Sequence, residues 1–333
     1  MDIQNGDAIV FQKEPGRDFI ILNLTDIQMD TAQATGPAGI FAKETIRELI
    51  GRVHPDLITV SGDNAWDTLS YQEFVGMMDS FRIPWAPIMG NHDGQGCESE
   101  QWCSDLLCSA KYSLYRPGPP EMGFGNYIID IEEDGRLLHT LYLMDTHSGI
   151  LEDNINGKKG SGYDHLWENQ FEWYRTAVSR RCAENGAVRS TVVVHIPLNE
   201  YKEAWETATG VTEWDKEHPD APYIGEYANN SFGVRHEFGG WPKQKNGFFE
   251  LMQELGSTKD VVAGHEHVND YSIPYKGIRL TYALKLGAGC YWEPALNGGT
   301  VLRVDGGGHM HISHEFVDSA AVCARCGLEL EKL

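Results

Sequence analysis

The chain has 333 residues, and 27 Lys plus Arg against 49 Asp plus Glu leave a formal charge of -22. Apolar residues make up 41% and aromatics 11%, so the sequence has enough core-forming side chains to fold, and it is long enough for one large domain or two average ones. An acidic excess of this size repels nucleic acid polymers and anionic membrane faces, no basic patch overrides it, and no run of about 18 apolar residues offers a membrane span.

The start carries acids rather than a basic and then apolar signal, and seven cysteines (Cys97, Cys103, Cys108, Cys182, Cys290, Cys323 and Cys326) form no evident disulfide framework. Both features lead us to expect a cytoplasmic protein in a reducing compartment.

In chain order, Phe19 to Thr25 reads as a buried strand, Ile40 to Val53 as a helix and Asp56 to Ser61 as a strand. Thr68 to Phe81 is helical, Pro87 to Gly90 is a short strand, and Ser99 to Ala110 is another helix. Such a β-α-β-α-β order calls for a parallel sheet with helices on its faces. Tyr127 to Glu132 and Leu137 to Met144 form a hairpin across an Asp134-Gly135 turn. A helix from about Leu166 to Arg181 and a strand Ser190 to Val194 follow.

Val211 to Asn246 is rich in Trp, Gly, Asn and Pro without a period, which marks a long irregular insertion. Beyond Phe248 come a short helix, a strand Asp260 to Ala263, and the short strands Asp270 to Ile273, Ile278 to Ala283, Gly299 to Val304 and His311 to Phe316. With no repeat or linker, residues 1–333 are expected to form one α/β domain of two mixed β-sheets flanked by helices, β-rich at its C-terminal end from about residue 260.

Metal-capable residues fall at five strand ends. Asp26 follows the first strand (LTDIQ), Asp63 the second (SGDNAW), Asn91 and His92 the third (MGNHD), His195 the fourth (VVVHIPL), and His265 with His267 the fifth (AGHEH). Ligands bind at the carboxyl ends of parallel strands, so the five clusters are expected to converge. Imidazoles, carboxylates and an amide without thiolates suit Zn, Mn or Fe, and a central carboxylate can bridge two ions.

The ordered set D, GD, GNHD, H and GHxH from Asp26 to His267 resembles the calcineurin-like metallophosphoesterases. HIPLNEY at His195 to Tyr201, GYD at Gly162 to Asp164 and GHEHVND at Gly264 to Asp270 are similar to the branch distantly grouped with purple acid phosphatases. The resemblance implies a sandwich of two mixed sheets flanked by helices. It also implies two divalent or mixed-valence ions (Mn, Zn or Fe), no organic cofactor, and in-line attack of metal-bound hydroxide on a phosphoester.

It further implies that Asp26, Asp63 and His267 hold one ion, and that Asp63 bridges to a second held by Asn91, His195 and His265. His92 then faces the phosphate, with Asp93 orienting its imidazole. Two positions depart from the family pattern: Gln28 stands where a histidine is usual, and Trp66 where purple acid phosphatases have the tyrosine that binds ferric iron. Gln28 is then a weak ligand or a hydrogen-bonding neighbour, and an iron-tyrosinate colour is not expected.

His147, at the end of another strand (LMDTHSG), is a substrate contact or a loop histidine, and Asp164 is a site residue or the cap of the following helix. Cys323 and Cys326, close to His309, His311 and His314, could form a structural zinc site or a frayed tail. The expected partner is a small phosphorylated substrate or a phosphoprotein, hydrolysed as a monoester, with neither a nucleic acid polymer nor a membrane involved. A phosphodiesterase on a small nucleotide or headgroup substrate and a non-catalytic metal-binding scaffold are the rivals.

Overall fold

The computed structural model describes residues 8–30, 36–153, 159–212 and 220–333. Two sheets face each other. The five-stranded sheet is built around the run β2 (Phe19–Leu24), β3 (Leu57–Ser61) and β4 (Trp85–Ile88), all parallel. β13 (Gly298–Val304) joins β2 antiparallel, and β14 (Met310–Phe316) closes the edge as a hairpin with β13. Helices α1 (Pro37–Val53) and α2 (Thr68–Ser80) make the crossovers between the parallel strands, as the alternating pattern required.

The second sheet has seven strands. Its order is β1 (Ile9–Gln12), β5 (Tyr127–Glu133), β6 (Arg136–Leu143), β9 (Arg189–Val194), β10 (Thr258–Ala263), β12 (Ile278–Tyr282) and β11 (Ser272–Tyr275). β6, β9, β10 and β12 run parallel. A two-stranded ribbon pairs β7 (Gly149–Asp153) with β8 (Lys159–Tyr163).

Period two in the strands decides which side chains enter which core. Val193 and Val262 look between the sheets into the larger core with Ile21, Leu24, Val60 and Trp85, whereas Val192, Val194 and Val261 pack outward under helices. Those helices include α4 (Glu168–Asn185), α5 (Glu200–Thr209) and α6 (Phe248–Leu255). A strand buried on both faces reads as a continuous apolar run, which is why STVVV was legible.

Several expectations are corrected. β1, β7, β8 and α5 were not anticipated from the sequence. The tail after β14 is not frayed: Ser319–Cys326 forms helix α7, capped by Asp318 accepting from Ala321 N, and it packs on α1. The insertion is stitched down by bridges from Phe232 to Ser272 and from Arg235 to Asn269, while its residues 213–219 lie outside the described residues. Between β4 and β5, Glu100–Ser109 forms helix α3 as expected.

Candidate metal centre

The strand ends do converge. Asp26, Asp63 and His195 each bring one ligand atom within 4.8 Å of the others, all three buried. The Nε2 of His195 lies 3.0 Å from Asn91 Oδ1, 3.3 Å from Asp63 Oδ1 and 3.3 Å from His265 Nδ1. His267 Nε2 sits 3.6 Å from Asp26 Oδ1 on the other side of the cluster. Asp26, Asp63, Asn91, His195, His265 and His267 thus occupy one place, from two sheets.

Their orientation is fixed by the backbone. His195 Nδ1 is 2.8 Å from the carbonyl of Ser61 and His267 Nδ1 is 2.8 Å from that of Tyr291, so each Nδ1 donates to the backbone and each Nε2 is turned inward. Asp26 Oδ2 accepts from Thr25 Oγ1 at 2.6 Å and from His265 N at 2.9 Å. Asp63 Oδ1 accepts from His92 N at 2.9 Å. Asp26, Gln28, Asp63 and His265 have φ of 54°, 47°, 51° and 76°, a left-handed backbone that costs of order 1 kcal/mol per residue and is kept where a site needs it.

Close approach also explains Gly90. A β-carbon there would fall against Asp63 Oδ1 and lie 2.7 Å from His195 Nε2.

The electrostatics follow from burial and neighbours. Burial alone would push His195 down and Asp63 up; their attraction wins, so the imidazole is raised to about 10 and the carboxylate lies below its ordinary range. Burial, reinforced by His195, pushes His265 down to about 3, which keeps it neutral. Two buried oxygens, Asp26 Oδ1 and Gln28 Oε1, have no hydrogen-bond partner. Orphaned oxygens beside inward-facing imidazole nitrogens are the mark of a coordination shell, and this nitrogen and oxygen set fits Zn, Mn or Fe.

The remaining site candidates divide. Gln28 is in place, with Nε2 donating to Asp63 Oδ2 at 2.7 Å. His92 lines the cavity of about 150 Å³ at the centre together with Gln28, Asp63 and His265. Its ring rests on Trp66 at 4.1 Å between centroids, and Nδ1 lies 3.0 Å from Gln95 Oε1.

Asp93 does not orient that imidazole. Its carboxylate accepts instead from the backbone of Asn64 (2.9 Å), Ala65 (3.2 Å) and Gly90 (2.7 Å) and from Asn64 Nδ2 (2.9 Å), tying the loop after β3 to the loop after β4. Four donors occupy both of its oxygens, and Gln95 holds the ring instead.

His147 is corrected as a substrate contact. It stacks on Trp167 at 3.6 Å, meets Gln170 Oε1 at 3.1 Å and lies outside the cavity wall. Asp164 is not the helix cap either; Gln170 Oε1 accepts from Trp167 N at the start of α4. Cys323 and Cys326 gather no third ligand among the described residues, while His309 and His311 turn to Asp305 and His314 to Asp270.

The insertion supplies residues that no sequence period announced. Glu237 Oε1 accepts from His267 N at 2.5 Å and Val268 N at 2.9 Å, and its Oε2 takes the Tyr291 hydroxyl at 2.5 Å. Gly240 N donates to Glu266, whose carboxyl is pushed well up by burial and by Glu237. A β-carbon on Gly240 would press on His265 Nε2 and stand 3.0 Å from Tyr163. Beside it opens a cleft of about 690 Å³, walled by Tyr163, Phe238 and Trp241 and bordered by Lys202 and Glu206 of α5. The buried Arg235 guanidinium lies 5.3 Å from the Trp241 ring and braces it. Glu266, between the two histidines of GHEH, and Tyr163, in GYD, lay in motifs that the sequence showed.

The family model for the calcineurin-like phosphoesterases matches residues 19–269. The chain belongs to that family, which implies a dinuclear metal centre. It is 28% identical over 265 residues to the "Probable inactive purple acid phosphatase 14" of Arabidopsis thaliana, covering 72% of this chain and 60% of that protein. Phosphatase DCR2 of Saccharomyces cerevisiae is 28% identical over 281 residues, 78% of this chain and 44% of the relative. The chain thus spans less than two thirds of the length of these relatives.

Among solved structures, a dimetal phosphatase from Danio rerio superposes with a TM-score of 0.56 at 9% identity, over 90% of this chain and 96% of the other. An anchor protein of the Plasmodium inner membrane complex gives 0.51 at 12%, over 91% and 85%. At these identities the likeness is one of fold. No helix among the described residues is long and apolar enough to cross a membrane.

Proposed function

We propose that this chain is a metal-dependent phosphoester hydrolase acting on phosphomonoesters. The observation that carries the reading is the inward-facing donor set, with the Nδ1 of both His195 and His267 bonded to a backbone carbonyl and Asp26 Oδ1 and Gln28 Oε1 left without partners. In this reading Asp26, Asp63 and His267 would hold one ion, and Asp63, Asn91, His195 and His265 the other. When bound, such a pair supplies Lewis acidity and charge neutralisation at a phosphoryl group.

The chain's own residues do the rest. With its Nδ1–H donating a hydrogen bond to Gln95 Oε1, His92 in its imidazolium form would turn Nε2–H to the phosphoryl oxygens and hand that proton to the departing alkoxide. Asp93 serves by holding the loop that carries His92 rather than by touching the ring. The cleft beside the centre receives the leaving group, and its braced aromatic wall suits a planar one such as an aryl or nucleoside ester. Small phosphorylated compounds are favoured over long polyanions by the charge of -22.

One feature favours a non-catalytic scaffold: Gln28 donates to Asp63 Oδ2, occupying an oxygen that the bridging role needs. The deciding experiment is hydrolysis of p-nitrophenyl phosphate beside bis-p-nitrophenyl phosphate, with Mn, Zn, Fe or Mg added to stripped protein and Asp63→Asn as the blank. Monoester turnover above the blank supports the proposal, and preference for the diester replaces it with a phosphodiesterase. No turnover with any metal, while the metals still bind, favours the scaffold.

A further inference from the structure

A second cavity, of about 320 Å³, lies at the opposite ends of the strands that carry His195 and His265, six residues or roughly 20 Å away. Arg189 opens β9, Lys259 and Asp260 follow Thr258 at the start of β10, and Arg279 lies beside Asp260 on β12. The alternation that sends Val193 and Val262 between the sheets puts Arg189 and Asp260 on the same face, while Ile278 and Leu280 point away from Arg279. His309 and Met310 of the facing sheet complete the wall, so the cavity is the mouth of the sandwich. A β-bulge between Thr258 and Asp260 adds Lys259 to the rim.

The charge pattern is unlike the rest of the molecule. In a chain of net charge -22, three cations gather here, and among the described residues none has a carboxylate oxygen within 4 Å. Arg279 gives one Nη1 donor to Ser272 Oγ (3.1 Å) and one Nη2 donor to the Asn230 carbonyl (3.0 Å), and its remaining N–H groups are left for the cleft that it lines. Asp260 is only 6% exposed, accepts no hydrogen bond from a described residue, and faces the cavity. The oxygens of this largely buried carboxyl can be met only from the cavity, by water or by a ligand that brings a donor.

We propose that this cleft binds a phosphate group that still carries a proton, such as inorganic hydrogen phosphate. Arg189, Lys259 and Arg279 meet its charged oxygens and the Asp260 carboxylate accepts from its P–OH. Guanidinium groups match the oxygens of phosphate in geometry as well as charge, and the cavity is several times a water's share of about 30 Å³.

The carboxylate gives the site its selectivity. Burial raises the Asp260 pKa to about 7 against the opposing pull of Arg279, Arg189, His311 and Lys259, the charged groups that face it from β12, β9, β14 and its own strand; His309 stands at the rim. Above that pH the carboxylate accepts from a protonated oxyanion and repels one without a proton. Sulfate and a monoester dianion are then excluded at pH 8, whereas hydrogen phosphate is held.

The test is calorimetric titration of the full chain carrying Asp63→Asn, which disables the metal centre, with phosphate, sulfate and glycerol 2-phosphate at pH 8. Saturable phosphate binding is expected, with sulfate and the monoester weaker by about tenfold or more. Lys259→Gln and Arg279→Gln should each weaken phosphate by about tenfold, and Asp260→Asn should abolish the preference over sulfate. Lys259 is on the rim, so its variant tests the site even where Arg279→Gln does not fold. Phosphate binding that ignores Lys259→Gln, that fails to saturate by about 10 mM, or that is no tighter than sulfate overturns the proposal.

Discussion

The two sheets make unequal contributions to one centre. Loops of the five-stranded sheet bring the oxygen donors Asp26, Gln28, Asp63 and Asn91, whereas the seven-stranded sheet brings the imidazoles His195, His265 and His267. Three of the four oxygen donors, Asp26, Gln28 and Asp63, are presented from backbone of positive φ, whereas of the three imidazoles only His265 is. The hydrogen bonds His195 Nδ1 to Ser61 O and His265 N to Asp26 Oδ2, with Lys285 Nζ on the Asp26 carbonyl, run between the sheets. The centre is therefore also a seam, and it can be broken from either side.

Breaking it from the oxygen side should cost most. Asp63→Asn is expected to lose metal and turnover together, the latter by at least about a thousandfold, as read by metal content and monoester hydrolysis. Retained metal in that variant would remove Asp63 from the bridging position. His92→Ala separates chemistry from seam: metal content should stay, while turnover falls by about a hundredfold or more. An enzyme of normal rate would end the assignment of His92.

Gln28→His should tighten binding of the first ion by about tenfold, measured by competition with a chelator. Unchanged affinity would place the amide outside the ligand set.

The smallest effect lies in the seven-stranded sheet away from the centre. His139 is buried between Gly308 O and Thr191 Oγ1, and burial lowers its pKa to about 4. A histidine with a depressed folded pKa adds stability above its unfolded value of about 6.5 and loses it as pH falls toward 4. Denaturant melts should thus show a loss of about 2 kcal/mol between pH 6.5 and 5 that is absent in His139→Gln. Parallel curves for the two proteins would exclude His139 as the source.

The same contrast explains what the sequence revealed. The strands buried on both faces, such as FIILNL and STVVV, and the polar residues closing them were legible because burial on two sides and position at a strand end both leave local patterns. Glu237, Gln95 and Gly240 were not, since each acts through a loop whose path depends on distant pairings such as Arg235 with Asn269. Asp93 was placed beside the chemistry by the family resemblance, and His147 was a candidate through its position at a strand end. In three dimensions nearer donors claim the first, and Trp167 with Gln170 claims the second.

The tight approach of Gly240 to His265 bears on how this protein can be re-engineered. Residues 239–242 belong mechanically to the centre, although they sit within the insertion. A cassette exchange meant to alter which leaving group is accepted should therefore keep that glycine and its Glu266 contact as part of the host, placing the splice points on either side. Diversity can then be introduced at Phe238 and along α5 without disturbing the imidazole, making the aromatic wall an adjustable part and Gly240 a fixed one.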